Sequence, residues 1–200
     1  MIRKFLSLLF VACLGTMSAV ADDTKYVYAD AMTANAGDEV TLSVKMKNDS
    51  QISGYQYDLV LPEGMSVVTD EDDFPLVFLS TARTTPAKMN FFDQSLIRPS
   101  HLRVLCYSSK GYSFSGNDGE VTLITVKVDE NMVSGTYDLR LEDIQLSYSG
   151  NSYDTALKTV PITVIGKSPE TSASRYDVNQ DGKVTIADVN DLIRYLLQQK

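Results

Sequence analysis

Tryptophan is absent from the 200 residues, histidine occurs once, at His101, and cysteine twice, at Cys13 and Cys106. Each shortage closes a route. One histidine and one cysteine in an apolar run, Leu102 to Tyr107, cannot supply the four ligands of a zinc site. His101 stands beside Pro99 in a loop-like stretch without a nucleophile motif nearby, so a catalytic triad has no support. Glycoside hydrolysis needs only two carboxylates and stays open on that count, yet most acids of this small chain fall in turns, and an enzyme is not the expected class. Sugar stacking without tryptophan has to draw on the 11 tyrosines.

Long hydrophobic runs are scarce as well. The longest opens the chain, where Arg3 and Lys4 precede an apolar stretch from Phe5 to Leu14 and then the small-residue pattern Ala19-Val20-Ala21. This reads as a secretory signal peptide over residues 1–21, too short for the roughly 20 apolar residues of a membrane-spanning helix. The mature chain then begins near Asp22 and carries no transmembrane segment. Lipid attachment at Cys13 is the competing route, against which Phe10 stands where lipoprotein signals usually carry leucine.

Without the leader one cysteine remains, so no intrachain disulfide forms even on the permissive outer side of a cell. Cys106 is then expected to act as a small buried hydrophobe. Stability has to come from burial, which about 140 residues of sandwich can supply without staples. The leader holds two of the 18 basic residues and none of the 26 acidic ones, so the mature net charge is 16 − 26 = −10. Nucleic acid is not a partner for such a surface, whereas cations and neutral polysaccharides meet no electrostatic objection.

From Lys25 to Ile165 the apolar pattern repeats every two residues. Val40, Leu42, Val44 and Met46 alternate with Thr41, Ser43 and Lys45 between the turn signals Ala36-Gly37-Asp38 and Asn48-Asp49-Ser50. Tyr55, Tyr57, Leu59 and Leu61 alternate into the turn Pro62-Glu63-Gly64. Alternation with Gln56 and Asp58 favours core packing of the two tyrosines over an outward stacking strip. Further runs are Leu102, Val104 and Cys106; then Val121 and Leu123, followed after a one-residue slip by Ile124, Val126 and Val128; then Tyr137, Leu139 and Leu141; and last Val160, Ile162 and Val164. The slip predicts a bulge or a strand buried on both faces. With Tyr26 to Tyr28 and the runs near Met65 and Phe74, eight or nine short strands are expected, in an all-β antiparallel jelly-roll sandwich. Asp70 to Ser100, with its acidic run and Pro75, Pro86 and Pro99, is expected to form long loops.

After Ile165 a stretch without large apolar side chains, Gly166 to Ser174, reads as a linker, placed over residues 166–175, and 176–200 form a separate unit. Within it, Asp177 to Asp188 has the spacing of a twelve-residue calcium loop. Asp177, Asn179 and Asp181 fall at positions 1, 3 and 5, Gly182 at the sharp turn, the Lys183 backbone carbonyl at 7, Thr185 at 9 acting through water, and Asp188 at 12. Hard divalent cations need such converging oxygens, and the compact octahedron of magnesium suits this spacing less well than calcium. Val184 at position 8 is expected to turn toward a core. Ile186, Val189, Leu192, Ile193, Leu196 and Leu197, at threes and fours, predict an amphipathic helix.

Asp-Val-Asn-Gln-Asp-Gly-Lys-Val from Asp177, aspartate at position 12 and the following Leu-Ile-Arg-Tyr-Leu-Leu helix resemble a type I dockerin repeat over about 22 residues. Dockerins normally pack two such repeats together, and one is present here. The resemblance implies calcium binding and places partner contacts at Ile186, Ala187, Ile193 and Arg194. Upstream, Ala36-Gly37-Asp38-Glu39-Val40-Thr41-Leu42-Ser43-Val44, Gly54-Tyr55-Gln56-Tyr57-Asp58-Leu59 and Gly119-Glu120-Val121-Thr122-Leu123-Ile124 resemble cohesin and related carbohydrate-binding modules. These resemblances imply a secreted or cell-surface bacterial accessory module, half cohesin-like sandwich and half dockerin-like, for extracellular assemblies that degrade polysaccharide. Its partner would be a dockerin- or cohesin-bearing protein. A carbohydrate-binding protein using the sandwich is the alternative, and a structural surface or adhesin subunit a further one.

Overall fold

The computed structural model describes residues 24–167, 177–179 and 183–198. The expected signal peptide, Cys13, most of the linker, and Asp181 and Gly182 of the loop lie outside the described residues. The elements run β1 (Tyr26–Ala29), β2 (Met32–Asn35), β3 (Glu39–Lys47), β4 (Gly54–Val60), β5 (Met65–Val67), β6 (Val77–Leu79), β7 (Phe91–Arg98), β8 (His101–Tyr107), β9 (Asp118–Val128), β10 (Gly135–Tyr148), β11 (Asn151–Asp154), β12 (Lys158–Ile165) and α1 (Ile186–Gln198). One sheet has the order β1-β3-β9-β5, with β6 also on β9. The other runs β2-β12-β10-β4-β8-β7, with β11 on β10. Pairing is antiparallel except where β2 joins β12 in parallel, which ties the start of the sandwich to its end.

The period-two residues become the core because each strand shows one face to the opposite sheet. Leu42, Val44 and Met46 of β3, Tyr55, Tyr57 and Leu59 of β4, and Leu102, Val104 and Cys106 of β8 are all buried. Tyr55 and Tyr57 therefore pack inward, with Tyr55 also against Phe114. Burial pushes the Cys106 thiol up to about 12, in keeping with a hydrophobe and not a nucleophile. The slip in β9 is a bulge, but it lies one turn of the pleat earlier than the pattern placed it. Val44 faces Thr122 and Lys45 faces Glu120, so Val121 is the extra residue. Leu123 consequently leaves the core side, while Val121 and Thr122 are both fully buried. Irregular backbone there meets the polar tip of the core: the Tyr55 hydroxyl donates to the Val121 carbonyl at 3.2 Å and meets the Thr122 hydroxyl at 2.7 Å.

Asp70 to Ser100 is not merely loop. It contains β6 and the eight-residue edge strand β7, and β7 with the short strands β2 and β11 raises the count to twelve strands among the described residues. His101 likewise opens β8 instead of lying in a loop. The intervening residues are clasped by Arg83, which is buried and donates to the carbonyls of Met46 (2.5 Å), Ser115 (2.8 Å) and Gly116 (2.6 Å) and to Asn48 Oδ1 (2.7 Å). Gly166 and Lys167, expected to open the linker, are fastened to the turn before β10. Gly166 N donates to Ser134 Oγ at 2.9 Å and Lys167 N to the Met132 carbonyl at 3.1 Å.

Replacing Arg83 by methionine keeps an apolar stem but strands two buried acceptors, the Met46 carbonyl and Asn48 Oδ1, and gives up two nearer the surface, and should cost about 3 kcal/mol. A urea melt reads this as a lower midpoint at unchanged slope; an unchanged midpoint would mean that the clasp does not hold the loop.

Candidate functional site

The outward residues of β7, β8, β4 and β10 form one continuous sheet face. Cross-strand register sets Phe91 opposite Tyr107, Tyr107 opposite Gly54 and Gly54 opposite Ser147 at one end. A side chain at position 54 has no room, since a Cβ there would stand 2.7 Å from Ser147 Oγ and 2.9 Å from Tyr107 Cβ. Beside that gap the Phe91 and Tyr107 rings stack at 4.5 Å and 24°, and both remain exposed, at 40% and 37%. Offset aromatic pairs left in solvent on a rigid sheet are unusual, because each ring forgoes burial that would stabilise the fold.

At mid-face lies an ionic cluster. Arg103 grips Asp58 with both arms, Nε to Oδ1 at 2.6 Å and a terminal nitrogen to Oδ2 at 2.8 Å, and reaches Asp143 at 3.2 Å. His101 Nε2 meets Asp58 Oδ2 at 2.9 Å. The Asp58 side chain is only 3% exposed, shielded by the groups lying over it and not by depth in the core. Burial raises its carboxyl, but hydrogen bonds from Arg103 and His101, with their charge, outweigh that and hold it below the ordinary carboxylate range. Asp143 projects from a bulge in β10, at a φ of 49°. Among the described residues His101 bonds this carboxylate and neither a hydroxyl nor a thiol, so the cluster positions charge without forming a nucleophile–base pair.

At the C-terminal unit, helix α1 starts at Ile186, two residues before the end of the twelve-residue loop. Its first turn is capped reciprocally. Ala187 N donates to Thr185 Oγ1 at 3.2 Å, and Thr185 N donates to Asp188 Oδ2 at 2.6 Å. The other Asp188 oxygen accepts Asn179 N at 3.3 Å, so one carboxylate draws together positions 3, 9 and 12 of the loop. Asp188 is buried under this backbone. The Thr185 amide first, and those of Asn179 and Val178 after it, depress its carboxyl against the opposing effect of burial. Asp177 is half-buried, Asn179 and Lys183 are exposed, and Asp181 is outside the described residues. Donors made of carboxylate, amide and carbonyl oxygens, closed by an anionic residue at the last position, are the chemistry a hard cation takes. Val184 is 48% exposed, so it does not turn into a core as its loop position predicted. Ile186 and Ile193 are exposed as well, and Arg194 lies beside Asp191 at 3.4 Å.

Sequence reasoning singled out the loop from Asp177 and missed the sheet face. Asp58 and Arg103 were each legible as outward positions, but only pairing of β4 with β8 brings them together, and Phe91 lay in a segment read as loop.

A jelly-roll sandwich with an exposed, charge-patterned sheet and a loop-capped helix belongs to the class of modules that act through their surfaces. A model of the cohesin domain matches residues 27–166, which is 140 of the 200, and the chain belongs to the cohesin family. The type I dockerin domain matches residues 151–197. Residues 151–166 fall in both matches, and in the structure they include β11 and β12, so the dockerin form proper is confined to the loop and helix. Type I dockerin domains bind calcium. Solved structures of similar fold include the seventh ScaB type I cohesin from Pseudobacteroides cellulosolvens, 22% identical, covering 72% of this chain and 94% of that one with a TM-score of 0.57. CaCohA2 from Clostridium acetobutylicum is 18% identical, covering 76% and 97% with a TM-score of 0.60. A chain of the Coh-OlpC-Doc435 cohesin–dockerin complex from Clostridium thermocellum is 17% identical, covering 73% and 97% with a TM-score of 0.56. No curated protein matches the chain. Among the described residues no helix is long and apolar enough to cross a membrane.

The depressed Asp58 carboxyl contributes stability above its unfolded value of about 3.9, and that contribution is lost as pH falls through the lower folded value. Urea midpoints should therefore drop below pH 4. Asp58→Ala should cost on the order of 2 kcal/mol at pH 7, less than for a deeply buried pair because Arg103 is 42% exposed, and should flatten the acid limb. An acid limb of unchanged steepness in the variant would assign the pH dependence elsewhere.

Proposed function

We propose that this chain is a non-catalytic assembly module acting at the surface of, or outside, a bacterial cell, in assemblies that degrade polysaccharide. Its parts are a leader at 1–21, a receptor sandwich from 22 that keeps Gly166 and Lys167 fastened to it, a linker over the rest of 166–175 and a calcium-ordered docking repeat at 176–200. The supporting observation is the stacked Phe91–Tyr107 pair held in solvent on the β7–β8–β4–β10 face, beside charges already fixed by Asp58. Exposed aromatics next to preorganised ion pairs are what anchor a protein partner, because little side-chain entropy remains to be lost on binding. Sugar stacking on Tyr55 and Tyr57 loses its basis, since both rings are in the core.

In the docking half, Asp177, Asn179, Asp181, the Lys183 carbonyl, Asp188 and, through water, Thr185 would hold calcium, with a dissociation constant on the order of 10⁻⁴ to 10⁻³ M. The ion would supply the positive charge that lets these oxygens share one site. Partner contacts fall on Ile186, Ala187, Ile193 and Arg194.

Two measurements test the halves separately. Calorimetry should give a calcium heat for the mature chain that Asp177→Ala and Asp188→Ala each abolish; heat surviving both would move the site elsewhere. Capture on immobilised dockerin-bearing proteins should weaken about 30-fold for Phe91→Asp or Tyr107→Asp, the effect of a ~2 kcal/mol anchor. Capture indifferent to both would remove this face from the interface.

A further inference from the structure

We infer that two copies of this chain pair through the free edge of β7, antiparallel and about a twofold axis, joining their larger sheets into one. The inference goes beyond the docking reading above and does not depend on it.

A strand edge is where a sheet lies open to another chain, and this sandwich keeps its other edges short. At the ends of the two sheets β1 and β2 have four residues each and β5 and β6 three, whereas β7 has eight. Its sequence does little to guard it. Between Phe91 and Ile97 there is no proline or lysine, and Asp93 is the one charge. Leu61 N donates to the Ser100 carbonyl and Ser108 N to the Ser53 carbonyl, each at 2.9 Å, so the even-numbered residues of β8 turn their backbone groups toward β4. Tyr107, Leu105 and Arg103 turn theirs toward β7 and engage Phe91, Asp93 and Ser95. The N–H and C=O groups of Phe92, Gln94 and Leu96 then point to the open edge, where no strand or turn of the described residues bonds them.

The middle of this edge carries a second, independent observation. Gln94 turns to the inner side of the sheet, and its Oε1 is buried without a hydrogen-bond partner among the described residues. That is a costly state for a carboxamide oxygen. The register that brings it a donor also suits the rest of the strand. With Gln94 opposite Gln94 of the second copy, the two Cα atoms stand about 5.5 Å apart and the carboxamides meet, each with N–H groups to give and an oxygen to receive them. Phe92 then faces Leu96 on the inner side, and Asp93 faces Ser95 on the outer side. Phe91 comes beside Ile97, so two side chains that are 40% and 48% exposed on a single chain cover one another across the axis. The open edge groups close in pairs, at Gln94 and at each Phe92–Leu96 match. Moving the centre to Asp93 sets two carboxylates against each other, and moving it to Ser95 runs Phe92 onto Arg98, past the bulge that follows Leu96.

The chain's own linker fits this edge less well. Ser168 to Ser174 includes Pro169, which has no N–H to give, and offers no large apolar side chain to set against Phe92 and Leu96. Because the contact is made by the same strand twice it is isologous, and it stops at two copies.

Sedimentation equilibrium on the full mature chain, in millimolar calcium and again in chelator, tests this. The expected result in both is a monomer–dimer equilibrium with a dissociation constant on the order of 10 μM, since a single strand pair lies at the weak end of specific interfaces. Gln94→Pro removes the central edge N–H and the carboxamide but none of the bonds to β8, so it should be monomeric at every concentration and keep its melting temperature within a few degrees. Exposed cysteines read the register in case that variant folds poorly. Asp93→Cys mixed with Ser95→Cys should give a disulfide-linked dimer, because these positions face each other with Cα atoms about 4.5 Å apart, and neither variant should link to itself. A wild-type chain that stays monomeric to submillimolar concentration overturns the proposal. So does a dimer that a folded Gln94→Pro variant retains, or a Ser95→Cys variant that links to itself more readily than to Asp93→Cys. A dimer lost in chelator would assign association to the calcium loop, and a monomer that takes up an extended peptide along β7 would make a foreign strand the occupant; either result overturns pairing of two copies.

Discussion

Two sheets, each apolar on one side, must cover one another, and with one buried cysteine in the described residues there is no covalent tie to share the task. The strict alternation in β3, β4, β8 and β12 follows from this constraint, because a single register slip would turn every apolar residue of a strand to water. It also explains where polar groups are tolerated inside. The Tyr55 hydroxyl reaches the one place where β9 bulges and frees a carbonyl, so the irregularity of one sheet satisfies the polar tip contributed by the other. With the inner faces committed to packing, the outer faces carry what differs between one sandwich and another.

The strands most plainly written in the sequence are those that lie centrally and pack on one side. β7 could not, for a physical reason. As an edge strand it pairs on one side only, with β8, and its inward positions include Gln94 while Phe91 and Ile97 point out, so its pattern does not separate polar from apolar. The prolines on either side then argued for loop. β9 was legible as a strand but not in its phase, since a bulge is a three-dimensional event that the pattern registers only as a slip; Leu123 was accordingly given to the core and lies outside it. The loop from Asp177 was legible because ligand spacing is local chemistry, independent of long-range pairing. Val184 failed because it assumed a core for the loop to turn toward, which no periodicity can supply.

The sheet face shows how a central strand fixes charge at the surface. Asp58 is on β4, paired on one side with β8, which supplies Arg103 and His101, and on the other with β10, whose bulge presents Asp143. Four charged or titratable groups are therefore fixed by three strands that cannot move independently. Desolvation of such a cluster on binding costs less than for free side chains, because its members already exchange hydrogen bonds with one another. The adjoining aromatic pair has no comparable internal partner beyond its own stacking, and its exposed area is what a binding event would gain.

At the other end of the chain the logic is inverted, since order there depends on a few oxygens. The Asp188 carboxylate accepts the Thr185 amide at the helix start and the Asn179 amide in the loop, and so belongs to both. Without a core of large apolar residues, α1 relies on this cap and on whatever covers its exposed side. Anything that fixes the loop oxygens also fixes the first turn of the helix, because the same side chain terminates one and begins the other. Loop order and helix order are in this way a single equilibrium, and a cation drawn to the loop would stabilise the apolar stripe of α1 in the form that a receiving face can bind.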